Sequence, residues 1–150
     1  MSAIEANLVF EYTLGVTSIT EYGVSFVSLA SGDAPPPPEG ARFDIALEGS
    51  ASGPRIAGAI KGTDFLRART DGRFDLHIHA GITTENGDKI ALFADGVALP
   101  EPGTPIFQLR ENVTLFTSHE DYKWANHLQI WGVGTVNLAT QTIHIKNYLA

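Results

Sequence analysis

His77 and His79 stand two residues apart in the run Phe74-Asp75-Leu76-His77-Ile78-His79-Ala80. In an extended chain such residues point to the same side, so both imidazoles share one face with Asp75. Imidazole exchanges protons near neutral pH, and the pair suits general acid or base work. It also suits a metal. Two strand imidazoles followed by a glutamate is the arrangement cupins use, and here Glu85 follows. A metal centre asks for three or four oriented ligands. His119, His127 and His144 supply further imidazoles, but no spacing selects one of them, and the Pro-x-Gly…His run of a cupin's second motif is absent. A metal-dependent, cupin-like enzyme using His77 and His79 is therefore an alternative. The leading expectation is a site with no metal and no cofactor.

Other residues could join such a site. Asp64, in Lys61-Gly62-Thr63-Asp64-Phe65, is either a turn residue capping a local N–H or a carboxylate at the mouth of a pocket. Arg55 follows Gly53-Pro54 and either pairs on the surface or holds a carboxylate or enolate oxygen. Glu48 alternates with Leu47 and would act as a base if buried, since burial raises a carboxyl pKa. Tyr122, Trp124 and Asn126 share a side if their segment is extended. They then offer an apolar wall with polar tips, suited to an aromatic or cyclic ligand. The other reading of the aromatics is core packing.

The elements that must carry these residues repeat with a period of two. Leu8, Phe10, Tyr12, Leu14 and Val16 alternate with mixed neighbours, as do Phe43, Ile45 and Leu47. Phe74, Leu76, Ile78, Ala80 and Ile82 make the clearest strand. Gly23–Ala30, Ile90–Val97, Asn112–Ser118, Trp124–Val136 and Thr140–Tyr148 read as further strands. Thr70-Asp71-Gly72 and Glu85-Asn86-Gly87-Asp88 are hairpin turns, and Pro35 to Pro38 form an exposed stiff connector. His119 to Trp124 is a weak candidate for a short helix. Many short strands mean a sandwich or a barrel, and closure removes aggregation-prone edges. The expected fold is all-β: a single antiparallel β-barrel domain of about eight or nine strands spanning residues 1–150.

Whether the histidine face lies inside such a barrel is a two-way choice. The opposite face of that strand is apolar and could be the core, which would leave the imidazoles in water.

Composition narrows the chemistry. Among 150 residues there are 17 acidic and 10 basic side chains, a net charge of −7, and no cysteine. The charge disfavours nucleic acid as a partner. Thiol catalysis, disulfides and thiolate metal sites are excluded. No apolar run reaches the roughly 18 residues of a membrane helix. Met1 to Asn7 lacks the basic start of a secretory leader, so a cytoplasmic protein is expected. No phosphate-binding glycine loop and no His-Glu-x-x-His motif occurs.

From Glu48 to Val97 the chain reads Gly-Ser-Ala-Ser-Gly-Pro-Arg-Ile-Ala-Gly, then Gly-Thr-Asp-Phe, Arg-Thr-Asp-Gly and Thr-Glu-Asn-Gly, and later Tyr122-x-Trp124-x-Asn126. This order of motifs resembles the DUF3237 family, also called UPF0311, from about Ala41 onward. The resemblance implies a small antiparallel barrel with a central pocket, like lipocalins and allene oxide cyclases, and no settled reaction. Arg55 and Asp64 match the family pattern. Phe65 stands where the family has Trp. His77 and His79 stand where relatives often carry an acid and an Arg.

With that resemblance the inward reading of the histidine pair is favoured. The leading expectation is a cofactor-independent lyase, isomerase or cyclase acting on a small apolar molecule, aromatic, terpenoid or polyketide-like. His77 or His79 would move the proton, with Asp64 assisting. Arg55 would stabilise negative charge, and Tyr122, Trp124, Asn126 and Glu48 would bind the substrate. The alternative from another class is a barrel that binds a small ligand without chemistry. Several strands are apolar on one face and mixed on the other, so a homo-oligomer is expected.

Overall fold

A computed structural model describes residues 6–149. Residues 1–5, most of the Met1–Asn7 stretch that lacks the basic start of a secretory leader, lie outside the described residues. Eight strands form one closed barrel in chain order: β1 Asn7–Glu21, β2 Ala41–Ser52, β3 Gly58–Ala68, β4 Phe74–Thr84, β5 Lys89–Pro100, β6 Ile106–Phe116, β7 Ile130–Asn137 and β8 Thr142–Leu149. Every neighbouring pair is antiparallel, and β8 closes on β1 through pairs such as Tyr12 with Ile145. The expected antiparallel barrel is the observed architecture.

Three segments differ from the sequence expectation. Gly23–Ala30 is not a strand, because Phe26–Ala30 forms a short helix, α1. Ser25 caps it by accepting the Ser28 N–H at 3.2 Å. The Val24/Phe26 alternation hid a helical spacing in which Phe26, Leu29 and Ala30 all turn toward the barrel interior. Gly58–Ala68 is the strand that takes its place in the count. Its Lys61-Gly62-Thr63-Asp64 run has poor strand propensity. The barrel requires Gly62 nonetheless, since a Cβ there would lie 2.5 Å from the Ala80 Cβ. Trp124–Val136 divides into a 3-10 helix, Glu120–His127, and strand β7.

The interior has two halves. At one end Phe10, Ile56, Ile82, Ile90, Val113 and Ile130 are fully buried, with Ala125 of the 3-10 helix beside them. At the other end the lumen is open space. That mouth is roofed by α1 and Pro36, by the Pro100–Pro105 connector and by Leu138–Gln141. No helix among the described residues is long and apolar enough to cross a membrane.

Candidate functional site

Strand alternation decides which residues reach the lumen. On β4 the inward face is Phe74, Leu76, Ile78 and Ile82, all buried. His77 and His79 therefore point outward and are exposed. The expected inward histidine pair is corrected by the apolar residues themselves, because a closed barrel can bury only one face of a strand and hydrophobic burial favours the Leu/Ile face. The Nε2 atoms of the two imidazoles lie 3.3 Å apart on the outer wall, between the rings of Phe65 and Phe93.

Other expected site residues also lie outside the lumen. Glu48 is exposed on β2 and pairs with Lys61 across to β3 at 3.4 Å. Arg55 is exposed in the β2–β3 connection, its guanidinium carbon 3.6 Å from the Trp124 ring centroid. It serves as a cation–π partner at the closed end of the barrel. Tyr122, Trp124 and Asn126 sit on the 3-10 helix rather than an extended segment. Trp124 is half-buried and donates its indole N–H to the Asp121 carbonyl at 3.0 Å. Asn126 clasps Thr117, accepting its N–H at 2.9 Å and donating to its carbonyl at 2.8 Å. None of these three lines the cavity.

Asp64 is the expected site residue that the structure does place in the lumen. It sits mid-strand on β3 rather than in a turn, and only 6% of it is exposed. Regular pairing of β3 with β4 is interrupted at Phe65 and Leu66. There the His77 backbone N–H donates to Asp64 Oδ1 at 3.0 Å. Burial raises the Asp64 pKa to about 6, against the lowering effect of that hydrogen bond.

Two residues outside the expected set complete the constellation. Glu111 on β6 is 3% exposed, and the Tyr12 hydroxyl of β1 donates to its Oε1. Burial raises the Glu111 pKa to about 7; the Tyr12 hydrogen bond opposes this and the Asp64 charge adds to it. Tyr12 is itself raised well above its ordinary value, first by burial and then by the Glu111 charge. The sequence carried a signal for both. Tyr12 lies in the apolar alternation of β1, and Glu111 is the one acid among Phe107, Leu109, Val113 and Leu115 on the inward face of β6. Taking that strand to begin at Asn112 cut Glu111 out of the pattern.

Tyr12, Asp64 and Glu111 all border a cavity of about 920 Å³. The rest of its wall is largely aliphatic, with Leu14, Leu47, Leu66, Leu76, Ile78 and Leu109 among the lining residues. Behind Glu111, Gly132 and Asn147 continue the same register across β7 and β8. Asn147 is fully buried, and neither amide atom has a protein partner. A Cβ on Gly132 would meet Asn147 Oδ1 at 3.0 Å and the Glu111 Cβ at 3.2 Å, so the glycine makes room for both. Among the described residues, no group of three or more His, Asp or Glu side chains is placed to hold a metal ion. The cupin-like alternative thus lacks a third ligand beside His77 and His79.

Comparison with known proteins agrees with this architecture. A family model described as "Protein of unknown function (DUF3237)" matches residues 29–149. The chain belongs to the DUF3237 family. The match begins within α1, earlier than the Ala41 boundary of the motif resemblance. A protein of unknown function from Clostridium acetobutylicum superposes with a TM-score of 0.77 at 19% identity, covering 97% of this chain and 99% of that one. A beta-barrel like protein from Acinetobacter baumannii gives 0.75 at 16% identity, covering 99% and 98%. An enzyme from Penicillium herquei gives 0.61 at 22% identity, also covering 99% and 98%. At these identities the likeness shows the barrel fold alone. A search of curated proteins finds no match.

Proposed function

We propose that the lumen is a cofactor-independent acid/base site for a small, largely apolar molecule with a carbonyl or phenol group, and that the reaction is an isomerisation, cyclisation or lyase step. The carrying observation is the pair of buried carboxyl groups, raised to about 6 and about 7, that share one aliphatic cavity with Tyr12. Two carboxyls in one site whose environments set different pKa values suit different protonation roles. The cavity volume falls in the range that encloses a drug-sized ligand.

At neutral pH Asp64 is mostly ionised and serves as base, taking a proton from carbon next to the substrate carbonyl. The electron pair moves onto the carbonyl oxygen. Glu111 is divided between its two forms near pH 7. When it is ionised, the Tyr12 hydroxyl donates to it. When it is protonated, it can donate to the Tyr12 oxygen, and the phenolic hydrogen is free for the substrate oxygen. Proton return from Asp64 to a different carbon completes an isomerisation without net proton change. The dry aliphatic wall strengthens each of these contacts.

The enzyme from Penicillium herquei, which shares the barrel, supports a catalytic reading of this architecture by analogy. The test is deuterium exchange at the α-carbon of small cyclic and aromatic ketones in D2O, followed by NMR. The expected result is exchange accelerated by the wild type and lost in Asp64→Asn. Ketone binding without accelerated exchange would contradict the catalytic reading and leave a binding barrel.

A further inference from the structure

We propose that the lumen takes a lipophilic amine, its ammonium group held by the Asp64 and Glu111 carboxylates and its apolar body lying along the aliphatic wall. Both carboxyls are buried, and both border the cavity of about 920 Å³. Each spends one oxygen on the protein. Asp64 Oδ1 accepts the His77 N–H, and Glu111 Oε1 accepts the Tyr12 hydroxyl. Asp64 Oδ2 and Glu111 Oε2 accept no hydrogen bond among the described residues. A primary ammonium carries three N–H donors and no acceptor, enough for both oxygens.

No cation of the protein answers this charge within the lumen. Arg69 is the one Lys or Arg bordering the cavity among the described residues, and Asp71 holds its guanidinium at 3.1 and 2.6 Å. Glu101, at the mouth, accepts from the Gln108 amide at 3.3 Å. Tyr12, the remaining titratable group on the wall, keeps its proton. Opposite charges attract more strongly in apolar surroundings than in water. Folding has already withdrawn both carboxyls from water, so on binding the occupant's ammonium is the charge that still has to be desolvated.

The strand order fixes how such a molecule lies. Tyr12 is two residues from Phe10 on β1, and Glu111 is two residues from Val113 on β6. Phe10 and Val113 belong to the packed half, so the polar groups mark the floor of the cavity. From that floor Leu14, Val16 and Ile19 continue along β1 toward the mouth. The amine enters head first, and its tail rests on these side chains. A carboxylate head would meet like charge. This inference uses the same two carboxyls as the acid/base reading but no proton transfer, so the ketone exchange and the titration below can fail separately.

The test is calorimetric titration with octylamine, 1-octanol and octanoate, three heads on one chain, at pH 5.5 and pH 8. An alkylammonium stays charged at both. The expected result is one octylamine per chain, bound at pH 8 about tenfold or more tighter than octanol, with no binding of octanoate. From pH 5.5 to pH 8 the octylamine affinity is expected to rise about tenfold or more, as Asp64 and Glu111 ionise. Asp64→Asn and Glu111→Gln are each expected to reduce the preference for amine over alcohol, with circular dichroism to check the fold. Glu120→Gln, which alters an exposed acid, controls for adsorption to the acidic outer surface and should change nothing. Equal affinity for octylamine and octanol at pH 8 would overturn the proposal. So would an octylamine affinity that does not rise with pH, or a preference that survives both lumen variants.

Discussion

The Tyr12 hydroxyl donates to the Glu111 carboxylate across the lumen, joining β1 to β6 between residues 99 positions apart in sequence. This contact supplies Glu111 with a donor in a wall that is otherwise mostly aliphatic. Removing it leaves a buried acceptor without its partner, and such a loss costs about 1–3 kcal/mol. Tyr12→Phe is expected to destabilise the barrel by that amount at pH 8. Because the hydrogen bond lowers the Glu111 pKa, the same variant raises it further above 7. Thermal denaturation and carboxyl NMR check the two effects.

Asp64 and Glu111 make stability depend on pH. Both have folded pKa values above their unfolded ones, so the folded state holds protons that the unfolded state releases. The associated stability is fully present below the unfolded values near 4 and is lost as pH rises through about 6 and about 7. Asp64→Asn and Glu111→Gln remove the need to ionise. Each is expected to raise stability at pH 8 by on the order of 1–3 kcal/mol, with a smaller gain at pH 4. Melting temperatures at the two pH values decide it.

Asn147 is fully buried without protein partners for its amide, and a leucine, larger but with the same branched outline, would leave no buried amide unpaired. Asn147→Leu is expected to raise stability by about 1–2 kcal/mol. Urea denaturation measures this. A loss of stability would show either that the amide is satisfied in solution, as by an enclosed water, or that the larger leucine overpacks the site.

Asn126 is a structural residue, since its amide clasps both backbone groups of Thr117. Asn126→Ala is expected to cost about 1–3 kcal/mol. The carboxyl pKa values of Asp64 and Glu111 should not change, because Asn126 does not border the cavity. Denaturation and NMR titration of the same variant separate the two outcomes.

The barrel was legible from the alternation in β1, β2 and β4, although β1 breaks its period at register shifts between Leu8 and Phe10 and between Val16 and Ser18. β3 was obscured because its Gly58 and Gly62 answer to cross-strand crowding rather than to strand propensity. Asp64 was legible through its motif. His77 and His79 attracted attention by residue type, yet direction along a strand is set by which face has more to gain from burial, and Leu76 and Ile78 have more than imidazole. Glu111 and Tyr12 were visible as polar members of apolar faces. Their contact depends on closure of the barrel, which no local window contains.

A carboxyl NMR titration decides whether the lumen holds an acid/base pair. Of the 17 aspartates and glutamates, two are expected to titrate near pH 6 and pH 7, the first signal disappearing in Asp64→Asn and the second in Glu111→Gln. If every carboxyl group titrates below pH 5, the range of unshifted side chains, the lumen holds no acid/base pair and the proposed chemistry is wrong.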